Sequence, residues 1–136
     1  MLEFRDLQIT DRPVLSALYS GAKGHGCEYS FSGLFLWGRQ QVAFVDDVPL
    51  FFSRFGDDWH SYQYPFTTPE LIPYLRNDAH ERGLSFRMFG LTAPETEALE
   101  AEYPGQFSFR AVRDSADYVY KIERLAELSG KKLQSK

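Results

Sequence analysis

At 136 residues, with 43% hydrophobic, 16% aromatic and 25% charged positions, the chain has the size and composition of one globular domain with one core, and disorder is excluded. Its one cysteine, Cys27, excludes an internal disulfide; the start Met1-Leu2-Glu3-Phe4-Arg5-Asp6 lacks a signal-peptide pattern, and no apolar run approaches the roughly 20 residues needed to span a bilayer, so the sequence reads as cytoplasmic with no integral membrane segment. The net charge of −4 becomes −7 once Lys131, Lys132 and Lys136 of the acid-free tail are set aside, so the body repels polyanions and only a local basic patch or the tail suits a nucleic acid.

Leu2, Phe4 and Leu7 alternate with Glu3 and Arg5 and predict a short first strand. Thr10-Asp11 then caps a helix that tolerates Pro13 in its first turn, carries Val14, Leu15, Leu18 and Tyr19 on one face, and stops at Gly21, Gly24 and Gly26. Ser30 caps a second, shorter helix through Phe31, Leu34, Phe35 and Trp37 to Gly38. The period then changes. Gln41 to Val45, the turn Asp46-Asp47 and Val48 to Phe55 predict a hairpin, with Pro49 suited to a strand start or edge, and Trp59 to Tyr64 predicts a third antiparallel strand.

Thr67-Thr68-Pro69-Glu70 is a strong helix start, and Leu71, Ile72, Leu75 and Ala79 form the buried stripe of a helix running to Gly83. Leu84 to Phe89 predicts a strand closed by Gly90, and Thr92-Ala93-Pro94-Glu95 repeats the capping box before a helix ending at Tyr103-Pro104-Gly105. Phe107 to Ala111 and Asp117 to Lys121 predict two last strands. The expected fold is α+β, a mixed, mostly antiparallel sheet with four helices in the order β-α-α-β-β-β-α-β-α-β-β, the order of a GNAT-like (acyl-CoA N-acyltransferase-like) domain.

In GNAT enzymes the loop after the fourth strand carries a Q/R-x-x-G-x-G/A motif whose backbone N–H groups, at a helix N-terminus, bind the CoA pyrophosphate. Gln63-Tyr64-Pro65-Phe66-Thr67-Thr68-Pro69 stands here, with no glycine and two prolines that lack donors, so no cofactor and no catalytic residue is assigned. Gly21-Ala22-Lys23-Gly24-His25-Gly26 has G-x-x-G-x-G spacing but follows a helix, the wrong context for a phosphate cradle. Cys27, Glu28, Tyr29 and Ser30 gather a thiol, a carboxylate and two hydroxyls near His25. A Cys–His pair is open there, although a buried structural cysteine is the commoner use. The scattered His25, His60 and His80 give no metal signal. Trp59, Tyr62, Tyr64 and Phe66 suit either a stacking platform or core packing, the latter more frequent in strands.

Cys27-Glu28-Tyr29-Ser30-Phe31-Ser32 followed by Leu34-Phe35-Leu36-Trp37, then Arg113 to Tyr120, then Leu125 to Lys136, together resemble an uncharacterised bacterial family related to the C-terminal catalytic domain of phosphatidylglycerol lysyltransferase. The resemblance implies two GNAT-like halves, as in the peptidoglycan aminoacyltransferases, with this chain similar to the N-terminal one. The family's K-K-L-x-x-K segment runs on into a second domain, so the expected division is a domain over residues 1–128 and a basic linker over 129–136.

The resulting expectation is a non-catalytic half of an aminoacyl- or acyltransferase that is structural or shapes the acceptor cleft. Cys27, Glu28, Tyr29, Tyr62, Tyr64, Lys131, Lys132 and Lys136 are the residues expected to face substrate or partner. The expected partner is the second GNAT-like domain of the same protein, or another copy in a homodimer, with aminoacyl-tRNA reached only through the full-length protein. Two alternatives remain open: a free-standing small GNAT-like acyltransferase using Cys27 or Glu28, and a single-stranded nucleic-acid or peptide binding module.

Overall fold

In the computed structural model, which describes residues 1–21, 29–36, 40–56, 59–65, 68–113 and 122–127, a five-stranded sheet separates two groups of helices. The strands are β1 (Arg5–Asp6), β2 (Gln40–Val45), β3 (Val48–Phe55), β4 (Trp59–Gln63) and β5 (Met88–Phe89), and they lie side by side in chain order. The helices are α1 (Arg12–Ser20), α2 (Phe31–Leu36), α3 (Ile72–Glu81), α4 (Ala93–Glu102) and α5 (Ile122–Glu127).

The hairpin forms where alternation predicts it. Val45 pairs with Val48 and Gln40 with Ser53. Asp46 and Asp47 close it with φ of 47° and 64°, the left-handed pair that a two-residue turn needs to match strand twist. Pro49 is tolerated in an interior strand because β4 pairs only with Phe52 to Phe55, leaving the missing N–H of Pro49 without a ladder position on that side.

Side chains leave β3 alternately to the two faces. Phe51 joins Leu15 and Tyr19 of α1, Phe31 and Leu34 of α2, and Val42 in one cluster. Leu50 and Phe52 join Tyr62, Leu75 and Ala79 in another, beneath α3. A third cluster, Tyr64, Ile72 and Leu99, fixes α4 beside α3. Burial of these large side chains is the main term holding the sheet between its helices.

Pairing is antiparallel from β1 to β4 and parallel between β4 and β5, where Tyr62 meets Met88 and Gln63 meets Phe89. A parallel neighbour needs a crossover, and α3 supplies it. A 3-10 turn over Pro69–Leu71 leads into α3, and the helix ends with a Schellman pattern, Leu84 N–H on Ala79 O at 2.8 Å and Gly83 N–H on His80 O at 3.0 Å, with Gly83 at φ +68°.

Three expectations need correction. Residues 107–111 form no strand: the alternating rings of Phe107 and Phe109 pack in a line from Phe86, at 6.2 and 6.4 Å between centroids, and no backbone ladder forms among the described residues. A fifth helix, α5, adds to the four expected. The strands expected over Leu2 to Leu7 and Leu84 to Phe89 shrink to two paired residues each: the Leu2 N–H is spent on Asp78 Oδ1 and the Phe4 N–H on Leu2 O, and the Leu84 N–H on the end of α3. The strand expected at Asp117 to Lys121 and the linker at 129–136 lie outside the described residues.

Candidate functional site at the parallel strand pair

Of the residues expected to face substrate or partner, Tyr29, Tyr62 and Tyr64 are described, and Tyr29 and Tyr64 meet at the end of the sheet where β4 and β5 run parallel. Tyr64 leaves β4 and its N–H bonds Phe89 O at 2.9 Å, continuing the ladder one residue beyond the strand. Tyr29, just before α2, crosses to the same place and donates its hydroxyl to Gly90 O at 3.3 Å, its ring set edge-on to Tyr19 at 6.1 Å. Gly90 takes φ +82°, which lets the chain turn away directly after β5.

Among the described residues the backbone here is committed to itself. Pro65 and Pro69 have no N–H, Thr68 N–H bonds Pro65 O at 2.9 Å, and Leu71 N–H bonds Thr68 O at 2.9 Å. A cavity lined in part by Tyr19, Phe51, Tyr64, Pro65 and Thr68 measures about 10 Å³, the space of a single water. Burial raises the Tyr64 phenol pKa, and the carboxylates of Glu95 and Glu102 raise it further, so the hydroxyl stays protonated.

Tyr62 faces the interior. It is fully buried, and its hydroxyl donates to Asp78 Oδ2 at 2.8 Å. The same carboxylate accepts Arg82 Nε at 2.7 Å on Oδ2 and the Leu2 N–H at 2.6 Å on Oδ1, while Arg82 reaches Leu2 O at 2.6 Å and lies over the rings of Phe4 and Phe52. Burial disfavours the Asp78 charge, yet the bonds from Arg82, Tyr62 and Leu2 outweigh it and hold the carboxyl below its ordinary value. Burial, reinforced by Asp78, pushes the Tyr62 phenol up. This is a buried charge network that ties the N-terminal segment to α3 and β4, and its members are spent on one another.

Asp78 and Arg82 were not among the residues singled out in the sequence. The signal was present: Leu71, Leu75, Asp78, Ala79 and Arg82 share one helical stripe, so the Asp78–Arg82 pair is turned toward the core. Cys27, Glu28, His25, Phe66, Lys131, Lys132 and Lys136 lie outside the described residues. His60 sits on β4 with Nε2 3.0 Å from Ser85 O, and among the described residues no three His, Cys, Asp or Glu side chains are grouped as metal donors. Among the same residues no helix is long and apolar enough to cross a membrane.

Comparison with known proteins adds the following. Residues 20–136 match the family model described as phosphatidylglycerol lysyltransferase, C-terminal. The chain is also similar to a conserved protein of unknown function from Bacteroides thetaiotaomicron, with 29% identity and a TM-score of 0.81, over 99% of this chain and 47% of that one. The chain thus spans about half the length of that relative. No curated protein matches it.

Proposed function

The chain belongs to the phosphatidylglycerol lysyltransferase C-terminal family, and from that premise we propose that it acts as the GNAT-like, non-catalytic half of a bacterial aminoacyl- or acyltransferase, supporting a second half and shaping the acceptor cleft. The GNAT-like reading is supported by one parallel strand pair inside an otherwise antiparallel sheet, joined by α3. Such an acyltransferase fold would place an acyl donor at the exit of the fourth strand.

The observation that carries the non-catalytic reading is the lack of free backbone donors among the described residues of that exit. Pro65 and Pro69 offer no donors, the Tyr64 N–H is bound to Phe89 O, and the cavity beside them measures about 10 Å³. A pyrophosphate needs several free N–H groups pointing into an open concavity. The match to about half of a longer relative supports a partner half that supplies the chemistry. In this reading Tyr29 and the neighbouring Cys27 and Glu28 border the acceptor side, and Lys131, Lys132 and Lys136 belong to the connection with the second half.

Thermal unfolding of the chain with and without acetyl-CoA tests the assignment. A site occupied at 100 times its dissociation constant would stabilise the fold by about 2.7 kcal/mol. The expected result is an unchanged melting temperature, together with a reading frame that continues beyond Lys136 into a second acyltransferase-like domain. A rise in melting temperature with acetyl-CoA overturns the reading in favour of a small free-standing acyltransferase.

A further inference from the structure

Along α3 and the end of α4 lies an open groove of about 370 Å³ lined by Ile72, Pro73, Arg76, Asn77, His80 and Tyr103. Its floor follows from helical spacing: Pro73, Arg76, Asn77 and His80 stand at i, i+3, i+4 and i+7 and share one stripe. Its far wall is Tyr103, at the C-terminal end of α4.

Arg76 is held in place within this groove. Its guanidinium carbon lies 5.1 Å from the ring centre of Phe107, 5.7 Å from that of Tyr103 and 5.9 Å from that of Phe86, and one amino group donates to Gln106 Oε1 at 3.0 Å. Rings fix a cation without neutralising it. Ion pairs among the described residues include Met1 with Glu81, Arg5 with Asp11 and Arg82 with Asp78, and none of these three involves Arg76. The polar side chains lining the groove, Arg76, Asn77, His80 and Tyr103, all carry donors, and none is a carboxylate. The nearby Glu81 carboxylate is engaged by the N-terminal ammonium and by Asn77.

We propose that this groove binds a small organic oxyanion carried on a flat apolar body, with the anion on the free edge of Arg76 beside His80 and the body against Tyr103, Ile72 and Pro73. A guanidinium already fixed by aromatic rings loses little freedom on binding, and its planar fork matches the oxygens of a carboxylate or phosphate. The proposal is independent of the acyltransferase reading, since it uses neither the backbone donors at the exit of β4 nor a second domain.

Titration of the isotope-labelled chain with phenyl phosphate and, separately, benzoate, followed by amide NMR, tests it. The expected result is saturable shifts at Asn77, His80 and Tyr103 at millimolar concentrations, weakened by added salt, with benzyl alcohol and inorganic phosphate each binding at least tenfold more weakly. Stronger binding of phenyl phosphate assigns a phosphate ligand, and stronger binding of benzoate a carboxylate. Arg76→Gln should abolish the shifts. The exposed His80→Ala, which leaves the aromatic cage untouched, should weaken binding several-fold at an unchanged melting temperature. The proposal is overturned by an absence of saturable shifts with both anions, by equal binding of benzyl alcohol or inorganic phosphate, or by full affinity in a folded Arg76→Gln.

Discussion

The Tyr62 hydroxyl donates to the Asp78 carboxylate at 2.8 Å inside the protein, joining β4 to the crossover helix α3. Arg82 and the Leu2 backbone complete the partners of that carboxylate, so three separate parts of the chain depend on one charge. Asp78→Asn preserves size but loses the charge-assisted bonds and leaves Arg82 and Tyr62 poorly matched. Urea unfolding should show a loss of about 2–3 kcal/mol, against about 1–2 kcal/mol for Tyr62→Phe. The double variant should cost less than the sum of the two, because each removes the same bond. Strict additivity would mean that the two groups do not act together.

Acid should weaken the fold in a defined window. Asp78 is held below its ordinary value of 3.8, and Asp11 is lowered too, mainly by its hydrogen bond from Arg5. For a lowered carboxyl the unfolded chain takes up its proton first as pH falls. The stabilisation is therefore complete above the ordinary value and is lost as pH drops through the lower folded value. Melting temperature should stay nearly level from about pH 7 to about pH 5 and fall below about pH 4. Asp78→Asn should show a shallower acid limb than the parent, and an identical limb would remove Asp78 as its source.

The hairpin turn can be improved. Asp46 and Asp47 both hold positive φ, where a Cβ is a steric cost that glycine avoids. Asp47→Gly should raise stability by about 0.5–1 kcal/mol in chemical denaturation. A loss of stability on this substitution would show that the aspartate side chain contributes more to the turn than its backbone costs.

Gly90 should resist replacement. A Cβ there would sit 3.8 Å from Gln63 Cγ, an ordinary contact, so the cost of Gly90→Ala lies in the backbone at φ +82°. About 1–2 kcal/mol is expected. A neutral result would mean that the turn after β5, and with it the acceptor for Tyr29, relaxes freely.

Reading the sequence succeeded where one local rule decides the outcome. Alternation located β2 to β4, and the Thr92–Glu95 pair that marks α4 does bond, Thr92 N–H to Glu95 Oε2 at 2.7 Å. It failed where distant backbone decides. Leu84 to Phe86 and Phe107 to Phe109 alternate like strands, but the Leu84 N–H closes a helix and Phe107 packs its ring against Phe86 instead of joining a ladder. At the candidate site, Tyr29 and Tyr64 stand out in the sequence because hydroxyls and aromatics cluster there, and both lie beside the parallel strand pair. Asp78 was missed because an acid in a helix reads as a solvent-facing residue unless its place on the apolar stripe is counted. The aromatic cage of Arg76 was equally hidden, since Phe86 follows α3 whereas Tyr103 and Phe107 stand around the end of α4.

The one parallel pairing also orders assembly in time. β2, β3 and β4 meet through short turns, so their contacts close small loops and form early, whereas β5 reaches β4 only after α3 has been threaded between them. The pairing of Tyr62 with Met88 is therefore expected to follow the hairpins, and the buried hydroxyl of Tyr62 to meet Asp78 as the crossover helix docks.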